Sequence, residues 1–442
     1  MLHGHIRCNV RKIQDRPLMR STIDNDKAIG FRILVVSQHY KPEPFNVSEV
    51  CEGLARQGHD ITMLTALPNY PEGNVPEEFR GGKHRDEIVD GVRVVRVPIV
   101  SRGADLKGLN KLKRVANYFS FPIASWLTHA AMDRRYDCVI CMQYSPVLMA
   151  LPALRIARKQ GVPCLLWSFD LWPEDMLTGG LSRDGLPYRI MRRVSRSIYR
   201  RADMVAVTSP GFTAYFDEQL SLPDLKTVWL PQLAEETFER VADTVERNIS
   251  KTVFTFAGNI GGNQGVETII RAASLLVHEP VHVRIVGSGS RLDACRALAL
   301  ELEATNVEFA GRMPIEAMPK VYSESDAMLL TLSRPAGGGS LVPVYTIPRK
   351  FQSYLAAGKP ILCAVDGTIG KIVADSNCGI ACPAEDPVAL ADAMRRFSRM
   401  GPEVRADLAQ NARMLYSERF SRQKFFARLT AIIKDLLQSK GN

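Results

Sequence analysis

The sequence predicts an α/β protein with two doubly wound parallel-sheet domains that face each other across a cleft. Apolar segments of strand length alternate with amphipathic helical segments after residue 30, a pattern typical of parallel strands joined by helices. The alternation stops in a polar stretch at 233–251 and then begins again. Ligands of doubly wound sheets bind at the carboxyl ends of the strands, so we expect the functional site in the cleft.

The first domain is predicted over residues 31–230. Its first strand, FRILVVSQHY (31–40), is followed by the helix NVSEVCEGLARQGH (46–59), with Asn46 as N-cap and Glu49 completing a capping box. Further strands are predicted at 60–67, 92–99, 136–143, 164–172 and 204–211.

The second domain is predicted over residues 231–420, and a closing helix over 421–442, where apolar residues recur at helical spacing. At the other end of the chain, residues 1–30 carry basic residues but no apolar secretory segment, and we expect a loose, flexible extension there. The strands of the second domain are predicted at 252–261, 281–290, 307–313, 327–333, 360–365 and 379–384.

The composition limits the partners. The chain has 57 Lys and Arg against 47 Asp and Glu, a formal net charge of +10, which favours an anionic partner. It has no zinc-finger spacing, aromatic RNA-binding signature or DNA-reading helix, so we expect no nucleic acid. The nine cysteines show no metal-binding pattern, and Cys138 and Cys141 should point to opposite faces of a strand. We expect a reducing cytoplasm and no transmembrane helix, because the apolar runs are too short to span a bilayer.

The segment IPRKFQSYLAAGKPIL (347–362) places Arg349 and Lys350 in the first turn of a short helix. Cations are normally unfavourable there, because the free N–H groups of a helix start already carry partial positive charge. A diphosphate bound at the helix start would turn this repulsion into binding energy. The alternative is that both cations point into water.

Two glycine-rich turns follow predicted strands of the second domain. AGNIGGNQG (257–265) contains Gly258, and IVGSGSRL (285–292) contains Gly287 and Gly289. Glycine lets the backbone approach a phosphate closely and present N–H groups to it. A tight connection or a flexible loop explains the same residues, since the second turn lacks the third glycine of a dinucleotide fingerprint.

In the first domain, SFDLWPED (168–175) places Asp170 at the exit of an apolar strand. Catalytic groups gather at such exits in open sheets, so Asp170 is our candidate reacting residue. Glu174 and Asp175 are interpreted as structural, because acidic residues are favoured in the first turn of a helix.

Two basic segments indicate contact with an anionic membrane. Residues 107–126 combine basic and apolar side chains, and 188–203 contains six arginines. Basic and aromatic residues together suit a bilayer surface, although an ordinary amphipathic helix packed on the sheet also explains the apolar side. The residues that suggest membrane contact in the first segment are Lys107, Lys111, Lys113, Arg114, Leu109, Leu112, Tyr118, Phe119, Phe121 and Trp126.

An ordered set of motifs resembles the family 4 glycosyltransferases of bacterial exopolysaccharide and O-antigen synthesis, in the WbuB-like branch. The motifs include LPNYPEG, FDLWPED, LPQLAEETF, AGNIGGNQGVETI, FAGRMP and IPRKFQSYLAAGKPIL. The resemblance covers about residues 31 to 435 and depends on the order and spacing of the motifs.

This resemblance implies a GT-B fold, in which two Rossmann-like domains hold a nucleotide-sugar mainly on the C-terminal side and the acceptor on the N-terminal side. It implies transfer with retention of configuration, without a cofactor or a required metal. The expected donor is UDP-linked, and the expected acceptor is a polyprenyl-diphosphate-linked saccharide. The enzyme would therefore be cytoplasmic and peripheral on the inner face of the plasma membrane.

The resemblance also assigns roles to residues. Lys350 matches the lysine of the family and, with Arg349, is expected to stabilise the leaving phosphate, while Asp170 orients the acceptor or the sugar. Phe45 and Asn46 are expected in a loop on the acceptor side. The residues expected at the donor are Gly258, Asn259, Gly287, Gly289, Arg312 and Ser353.

The chain departs from many family members at four positions. Two frequent glutamates are replaced by Tyr345 and Ser353, and a frequent arginine and lysine by Asn259 and Gln264. These replacements keep open a catalytically silent GT-B binding subunit of a polysaccharide assembly complex. A nucleotide-sugar epimerase on the same fold is a second alternative.

Overall fold

The computed structural model describes residues 30–103, 109–128, 131, 133–178, 180–241, 251–335 and 339–441. They form two α/β domains, each built on a mainly parallel sheet, as the sequence predicts. The extension predicted at 1–30 lies outside the described residues except for Gly30.

The N-terminal sheet has eight strands in the spatial order β3-β4-β2-β1-β5-β6-β7-β8. Strand β3 is antiparallel to β4, across a turn in which Asp90 and Gly91 both have positive φ, 49° and 81°. This turn is a tight hairpin connection, and neither β3 nor the short edge strand β8 was predicted. The strands are β1 (Arg32–Val36), β2 (Asp60–Ala66), β3 (Asp86–Val89), β4 (Val92–Val97), β5 (Cys138–Gln143), β6 (Cys164–Ser168), β7 (Met204–Val207) and β8 (Thr227–Trp229).

The C-terminal sheet has six strands in the order β11-β10-β9-β12-β13-β14, and all the pairs are parallel. Each of its strands falls within a predicted segment. The strands are β9 (Thr252–Ala257), β10 (Val281–Val286), β11 (Val307–Gly311), β12 (Ala327–Thr331), β13 (Ile361–Ala364) and β14 (Gly379–Cys382).

Helices cover both faces of each sheet, because strands buried on both sides need apolar layers above and below them. The helices are α1 (Val47–Arg56), α2 (Leu109–Leu127), α3 (Ala150–Gln160), α4 (Asp175–Thr178), α5 (Leu186–Arg201), α6 (Pro210–Glu218), α7 (Val266–Ser274), α8 (Leu292–Glu301), α9 (Met318–Ser323), α10 (Val342–Tyr345), α11 (Arg349–Ala356), α12 (Thr368–Asp375), α13 (Pro387–Ser398), α14 (Pro402–Leu415) and α15 (Arg422–Gly441).

The predicted capping box of α1 is wrong, although the helix begins directly after Asn46. The Asn46 side chain makes no capping hydrogen bond, and its Oδ1 instead accepts the hydroxyl of Tyr144 at 2.5 Å. Glu49 forms ion pairs with Arg349 and Arg422. Both side chains therefore serve contacts between distant parts of the chain.

The last helix, α15, returns from the second domain to the first. Its residue Phe426 packs so closely on α1 that a Cβ added at Gly53 would lie 1.9 Å from the ring. The ring of Phe425 stacks on Trp167 of β6 with centroids 5.4 Å apart. The C-terminal segment thus becomes part of the core of the N-terminal domain and limits how freely the domains can separate.

The buried cysteines have no site chemistry. Cys138 belongs to the apolar cluster on one face of the N-terminal sheet and Cys141 to the cluster on the other face, as the strand pattern predicts. Burial raises the pKa of the Cys138 thiol to about 12. A thiol buried among apolar side chains is a poor nucleophile and a poor metal ligand.

Candidate active site

The start of α11 is held at the carboxyl end of β9. Phe351, Tyr354 and Leu355 are fully buried, and Gly358 ends the helix with a φ of 63°. The Tyr354 hydroxyl accepts the N–H of Ala257 and donates to its carbonyl, both at 3.1 Å. These contacts fix the helix start beside the first glycine-rich turn, as the sequence predicts.

Lys350 projects from the helix start into this turn. Its Nζ donates to Oε1 of Gln264 at 2.6 Å and lies 4.1 Å from the ring centroid of Phe256. A Cβ added at Gly258 would come within 3.1 Å of the same Nζ, so glycine leaves the room that the ammonium occupies. Loss of hydration, with no neighbouring carboxylate to offset it, lowers the pKa of Lys350 to about 7.

Arg349 faces away from this turn, toward the other domain. Its guanidinium lies 3.3 Å from Glu49 of α1 and 3.3 Å from Glu235, and its Nε donates to the Leu233 carbonyl at 3.1 Å. These two carboxylates hold the Arg349 guanidinium in the structure, and its contact with the donor phosphate stays a prediction. Ser353, expected at the donor, is buried, and its hydroxyl donates to Glu235 at 2.9 Å.

The two glycine-rich turns pack directly on each other. A Cβ at Gly287 would lie 1.8 Å from the Gly258 carbonyl oxygen, and one at Gly289 would lie 2.6 Å from Oδ1 of Asn259. The N–H of Gly258 donates to Val286, at 2.9 Å. These glycines therefore allow a tight connection between the two turns, which is one of the alternatives that the sequence leaves open.

The second turn is also tied to the strand beside it. The Gly287 N–H donates to the Gly311 carbonyl at 2.8 Å, so neither this amide nor that of Gly258 is free for an anion. The next residue, Arg312, is exposed and forms no ion pair with any residue that the structure describes. Arg312 is thus the cation beside the second turn that is available to a ligand.

Across the cleft, Asp170 follows β6 as predicted. Its Oδ2 accepts the hydroxyl of Ser145 at 2.8 Å, and the same hydroxyl lies 3.1 Å from Oδ2 of Asp175. The indole N–H of Trp172 donates to Ser145 at 2.9 Å and fixes the serine between the two acids. Burial raises the pKa of both carboxyls, and that of Asp175 lies well above its usual range because Asp170 adds like charge. Ser145 therefore holds the two carboxyls together at the exit of β6.

Glu174 is structural, as interpreted from the sequence. It is fully buried, and its carboxylate accepts two hydrogen bonds from Arg183, at 2.7 and 2.9 Å, and one from the Tyr188 hydroxyl at 2.7 Å. It also accepts the N–H of Leu341, at 3.1 Å, from the segment that precedes α10. Glu174 thus ties the second domain to the first beside the cleft.

An aromatic cluster completes the first-domain wall of the cleft. The ring of Phe45 stacks on His39 at 4.1 Å and meets Tyr144 at 4.9 Å. Burial raises the pKa of Tyr144, while the charge of Arg349 lowers it and that of Asp170 raises it. The Tyr144 hydroxyl is thus close enough to feel the charges of both Arg349, at the start of α11, and the candidate acid Asp170.

His39 and Tyr144 were missed by the sequence reasoning. His39 is buried, and its Nδ1 lies 2.6 Å from Oε2 of Glu43, whose other oxygen accepts the N–H groups of Asn69 and Tyr70. His39 follows β1 and Tyr144 follows β5, so the position after a strand could have identified both residues. We applied this signal only to Asp170.

Two negative findings apply to the described ranges. They contain no group of three or more His, Cys, Asp or Glu side chains arranged to hold a metal ion. None of their helices combines the length and apolar character needed to cross a bilayer.

The structure has two Rossmann-like domains that face each other across a cleft, with a cation-bearing helix start in that cleft. This arrangement is typical of the GT-B class of glycosyltransferases. Two family models match the chain: a glycosyl transferase 4-like domain over residues 46–232 and glycosyl transferases group 1 over residues 239–415. The chain belongs to this glycosyltransferase family, which confirms the predicted family and GT-B fold.

Named relatives agree with this assignment. The chain is 31% identical over 304 residues to the probable glycosyltransferase WbjE of Pseudomonas aeruginosa, a match covering 65% of this chain and 73% of WbjE. It is 27% identical over 345 residues to the putative colanic acid biosynthesis glycosyl transferase WcaI of Escherichia coli K12, covering 74% and 81% of the two chains. The structure of Anabaena Alr3699/HepE in complex with UDP-glucose superposes with a TM-score of 0.62 at 16% identity, covering 92% of this chain and 100% of that one.

Proposed function

We propose that the protein is a retaining glycosyltransferase that moves a sugar from a UDP-sugar to a lipid-linked saccharide in bacterial cell-surface polysaccharide synthesis. The observation that carries this proposal is the position of Lys350, whose ammonium lies at the first glycine-rich turn and has no carboxylate partner among the residues that the structure describes. The name of WcaI, a putative colanic acid biosynthesis glycosyl transferase, supports the polysaccharide pathway, and the UDP-glucose complex of HepE supports the donor class.

The donor diphosphate would lie at the start of α11. A diphosphate bound there would supply negative charge to the Lys350 ammonium, which has lost part of its hydration. It would also be attracted by the partial positive charge of the helix N-terminus. The close packing of the turns at Gly258 and Gly287 keeps side chains out of this space. Arg312 is exposed at the end of β11 and would contact the diphosphate from the side of the second turn.

The transfer step needs no protein nucleophile. The acceptor oxygen forms a bond to the anomeric carbon on the face from which the diphosphate leaves, while the bond from that carbon to the β-phosphate oxygen breaks. The acceptor proton passes to the leaving phosphate oxygen, so the products are the glycoside and the nucleoside diphosphate. The Lys350 ammonium stabilises the charge that grows on this phosphate, and Asp170 orients the acceptor hydroxyl. The reaction as written uses no metal or cofactor.

The acceptor would come from a membrane. An apolar stripe runs along the outside of α2, and its side chains are between 49% and 73% exposed. The stripe consists of Leu112, Val115, Phe119, Ile123, Trp126 and Leu127.

The same helical layer carries positive charge. Lys113 of α2 and Arg189, Arg193 and Arg200 of α5 are exposed, and both helices pack beside α3. Apolar side chains beside cations suit the surface of an anionic bilayer. We therefore propose peripheral binding to the inner face of the plasma membrane and a polyprenyl-diphosphate-linked acceptor.

The structure divides the segment predicted to touch the membrane into two faces. Phe121 is fully buried and Tyr118 packs against the core, so both face the sheet instead of the solvent. Leu112, Phe119 and Trp126 remain on the outside. Lys107 and the side chain of Lys111 lie outside the described residues.

A panel of UDP-, GDP- and dTDP-sugars tests the donor assignment through thermal stabilisation. A bound donor present at 100 to 1,000 times its Kd stabilises the fold by ~3 to 4 kcal/mol. We expect UDP-sugars to give the largest shift and to be consumed only when a lipid-linked saccharide is present. Turnover without an acceptor would indicate the epimerase, and stabilisation without any turnover would indicate the silent subunit.

Vesicle co-sedimentation tests the membrane surface. We expect the wild type to pellet with phosphatidylglycerol vesicles at low salt, and the Phe119→Ser/Ile123→Ser double variant to lose most of this binding. The matched control is Leu300→Ser/Val404→Ser, which removes two exposed apolar side chains from the second domain. If both double variants bound the vesicles equally well, α2 would not be the membrane-binding surface.

A further inference from the structure

The hydroxyl of Ser145 has three polar neighbours in the first-domain wall of the cleft. Its oxygen lies 2.8 Å from Oδ2 of Asp170, 3.1 Å from Oδ2 of Asp175 and 2.9 Å from the indole Nε1 of Trp172. An indole N–H can only donate, so Trp172 occupies one of the two lone pairs on the serine oxygen. The serine has a single hydrogen and can form one full hydrogen bond to a carboxylate.

The contact with the second carboxyl needs a proton of its own. If both acids were ionised, one serine hydrogen would have to serve two anions, and two like charges would stand on either side of a single oxygen. If one carboxyl is protonated, it donates to the remaining lone pair of Ser145, and each of the three contacts is then a complete hydrogen bond. The geometry therefore fits a pair of acids that together hold one proton.

The surroundings of the pair also disfavour a second negative charge. Loss of hydration raises the pKa of both carboxyls, and the like charges of Asp170 and Glu174 raise that of Asp175 further. The charge of His39 lowers the pKa of Asp170, which favours the shared proton on Asp175. Other titratable groups that interact with these acids from neighbouring segments are Tyr144 after β5, Tyr199 of α5 and Arg183, which pairs with Glu174.

The main chain around Asp170 is fixed by contacts other than this pair. Its carbonyl accepts the hydroxyl of Ser168 at 3.0 Å, and Trp172 is only 4% exposed. The N–H of Asp175 donates to the Leu171 carbonyl at 3.0 Å, which fixes the start of α4 beside the strand exit. Both carboxyls remain partly exposed. The direction of the Asp170 carboxylate therefore depends on Ser145, and a ligand in the cleft can still reach it.

We propose that Asp175 and Ser145 are positioning residues, in which Asp175 holds the one proton of the pair and Ser145 turns it into a hydrogen bond that aims the Asp170 carboxylate. Asp170 then keeps a single negative charge and has lone pairs left for the acceptor hydroxyl. The role in transfer rests on the proposed function, whereas the shared proton follows from the hydrogen-bond geometry alone.

Infrared difference spectroscopy tests the proton directly, because a protonated carboxyl and a carboxylate absorb at different stretching frequencies. We expect the wild type at pH 6.5 to show a protonated-carboxyl band that Asp175→Asn lacks. The matched control is Asp184→Asn, at an exposed site, which should keep the band. An identical band in the wild type and in Asp175→Asn would show that the pair holds no proton and would overturn the proposal.

The pH profile of the transfer rate tests the positioning role of Asp175. The rate is measured as UDP release from the best UDP-sugar of the thermal panel, at saturating concentration, with extracted polyprenyl-diphosphate-linked saccharides as acceptor. We expect the wild-type kcat to fall with rising pH over the range in which the infrared band disappears. This fall should be absent from Asp175→Asn, whose amide donates to Ser145 at every pH. An equal fall in both proteins, or loss of the band without a change in kcat, would overturn the role of Asp175.

Two substitutions test the hydroxyl of Ser145. Ser145→Ala removes the hydrogen bond that aims Asp170, so we expect kcat to fall about tenfold or more. Ser145→Thr keeps a hydroxyl and should recover most of the rate. Thermal stabilisation by the UDP-sugar reports folding and donor binding in each variant. Equal losses of kcat in the two folded variants would show that the hydroxyl is not required, and would overturn the role of Ser145.

The two proposals fail separately. If the wild type does not turn over any UDP-sugar, the proposed transfer function fails, whereas an infrared band that depends on Asp175 would still support the shared proton. If transfer occurs and the band is the same in the wild type and in Asp175→Asn, the shared proton is wrong and the transfer function stands.

Discussion

The two walls of the cleft handle positive charge in opposite ways. On the C-terminal wall, Arg349 is held by Glu49 and Glu235, and loss of hydration lowers the pKa of the partly buried Lys350 to about 7, so part of its charge is lost. On the N-terminal wall, loss of hydration lowers the pKa of Arg102, but its guanidinium keeps its charge, because an arginine stays protonated even when burial lowers its pKa.

This difference suits the two walls to different tasks. A lysine poised near neutrality can gain a proton as the donor binds, and it then meets the charge that develops on the leaving group. Permanently charged guanidiniums suit a group that is only held in place. The C-terminal wall is thus suited to chemistry and the N-terminal wall to positioning.

The largest expected effect comes from Asp170→Asn. The substitution keeps the shape of the side chain but removes the charge that orients the acceptor, so we expect the transfer rate to fall about 10²- to 10³-fold. Donor affinity, measured by calorimetry, should stay within about twofold because Asp170 lies on the other wall. Asp184→Asn, at an exposed site, is the control. A loss of donor affinity in Asp170→Asn would break the division between the walls.

Next in size is Gly287→Ala. The new methyl group would meet the Gly258 carbonyl oxygen at 1.8 Å, and the φ of 143° is unfavourable for alanine. We expect a destabilisation of ~3 kcal/mol in urea unfolding, together with weaker donor binding as the turns separate. Gly262→Ala has open space around the new methyl group and should change the stability by less than about 0.5 kcal/mol. Equal effects at the two glycines would show that the turns do not depend on close packing.

A change of about tenfold per pH unit is expected in donor affinity. The donor diphosphate favours the charged lysine, so binding raises the pKa of Lys350 from its value of about 7 in the free protein. Donor affinity should be highest below pH 7 and fall about tenfold per pH unit between 7.5 and 9. A nucleotide-sugar is the right ligand, since its diphosphate does not titrate in this range. Lys350→Arg should abolish the dependence, and an unchanged slope in that variant would assign the titration to another group.

The smallest effects are expected at the ion pair between the domains. Arg349 and Glu49 are 26% and 33% exposed, so Arg349→Ala, Glu49→Gln and the double variant should each change stability by about 1 kcal/mol or less. Donor affinity should change less than about threefold in all three. A tenfold loss in Arg349→Ala alone would restore the role at the phosphate that the sequence predicts for Arg349.

The C-terminal wall was largely predictable, because its parts are contiguous in sequence. The segments 257–265, 285–292 and 347–362 each contain a strand exit or a helix start that can be recognised alone. The direction of Arg349 was not predictable, because it depends on Glu49, 300 residues away in sequence.

The N-terminal wall was harder to predict from the sequence, because tertiary packing assembles it from separate segments. Arg102, Tyr70 and Trp172 come from three separate loops, and the strand-exit signal was applied only to Asp170. The contact of the Asn46 side chain was also predicted wrongly, because its Oδ1 accepts the Tyr144 hydroxyl instead of a backbone N–H of α1.

The central claim, that Lys350 grips the donor diphosphate, is tested most directly by calorimetry of the best UDP-sugar at pH 6.5, where the lysine is charged. We expect Lys350→Ala to weaken binding about 10- to 100-fold, while Lys424→Ala, at an exposed site on α15, matches the wild type. A Kd for Lys350→Ala equal to that of the wild type would contradict the assignment of this donor site.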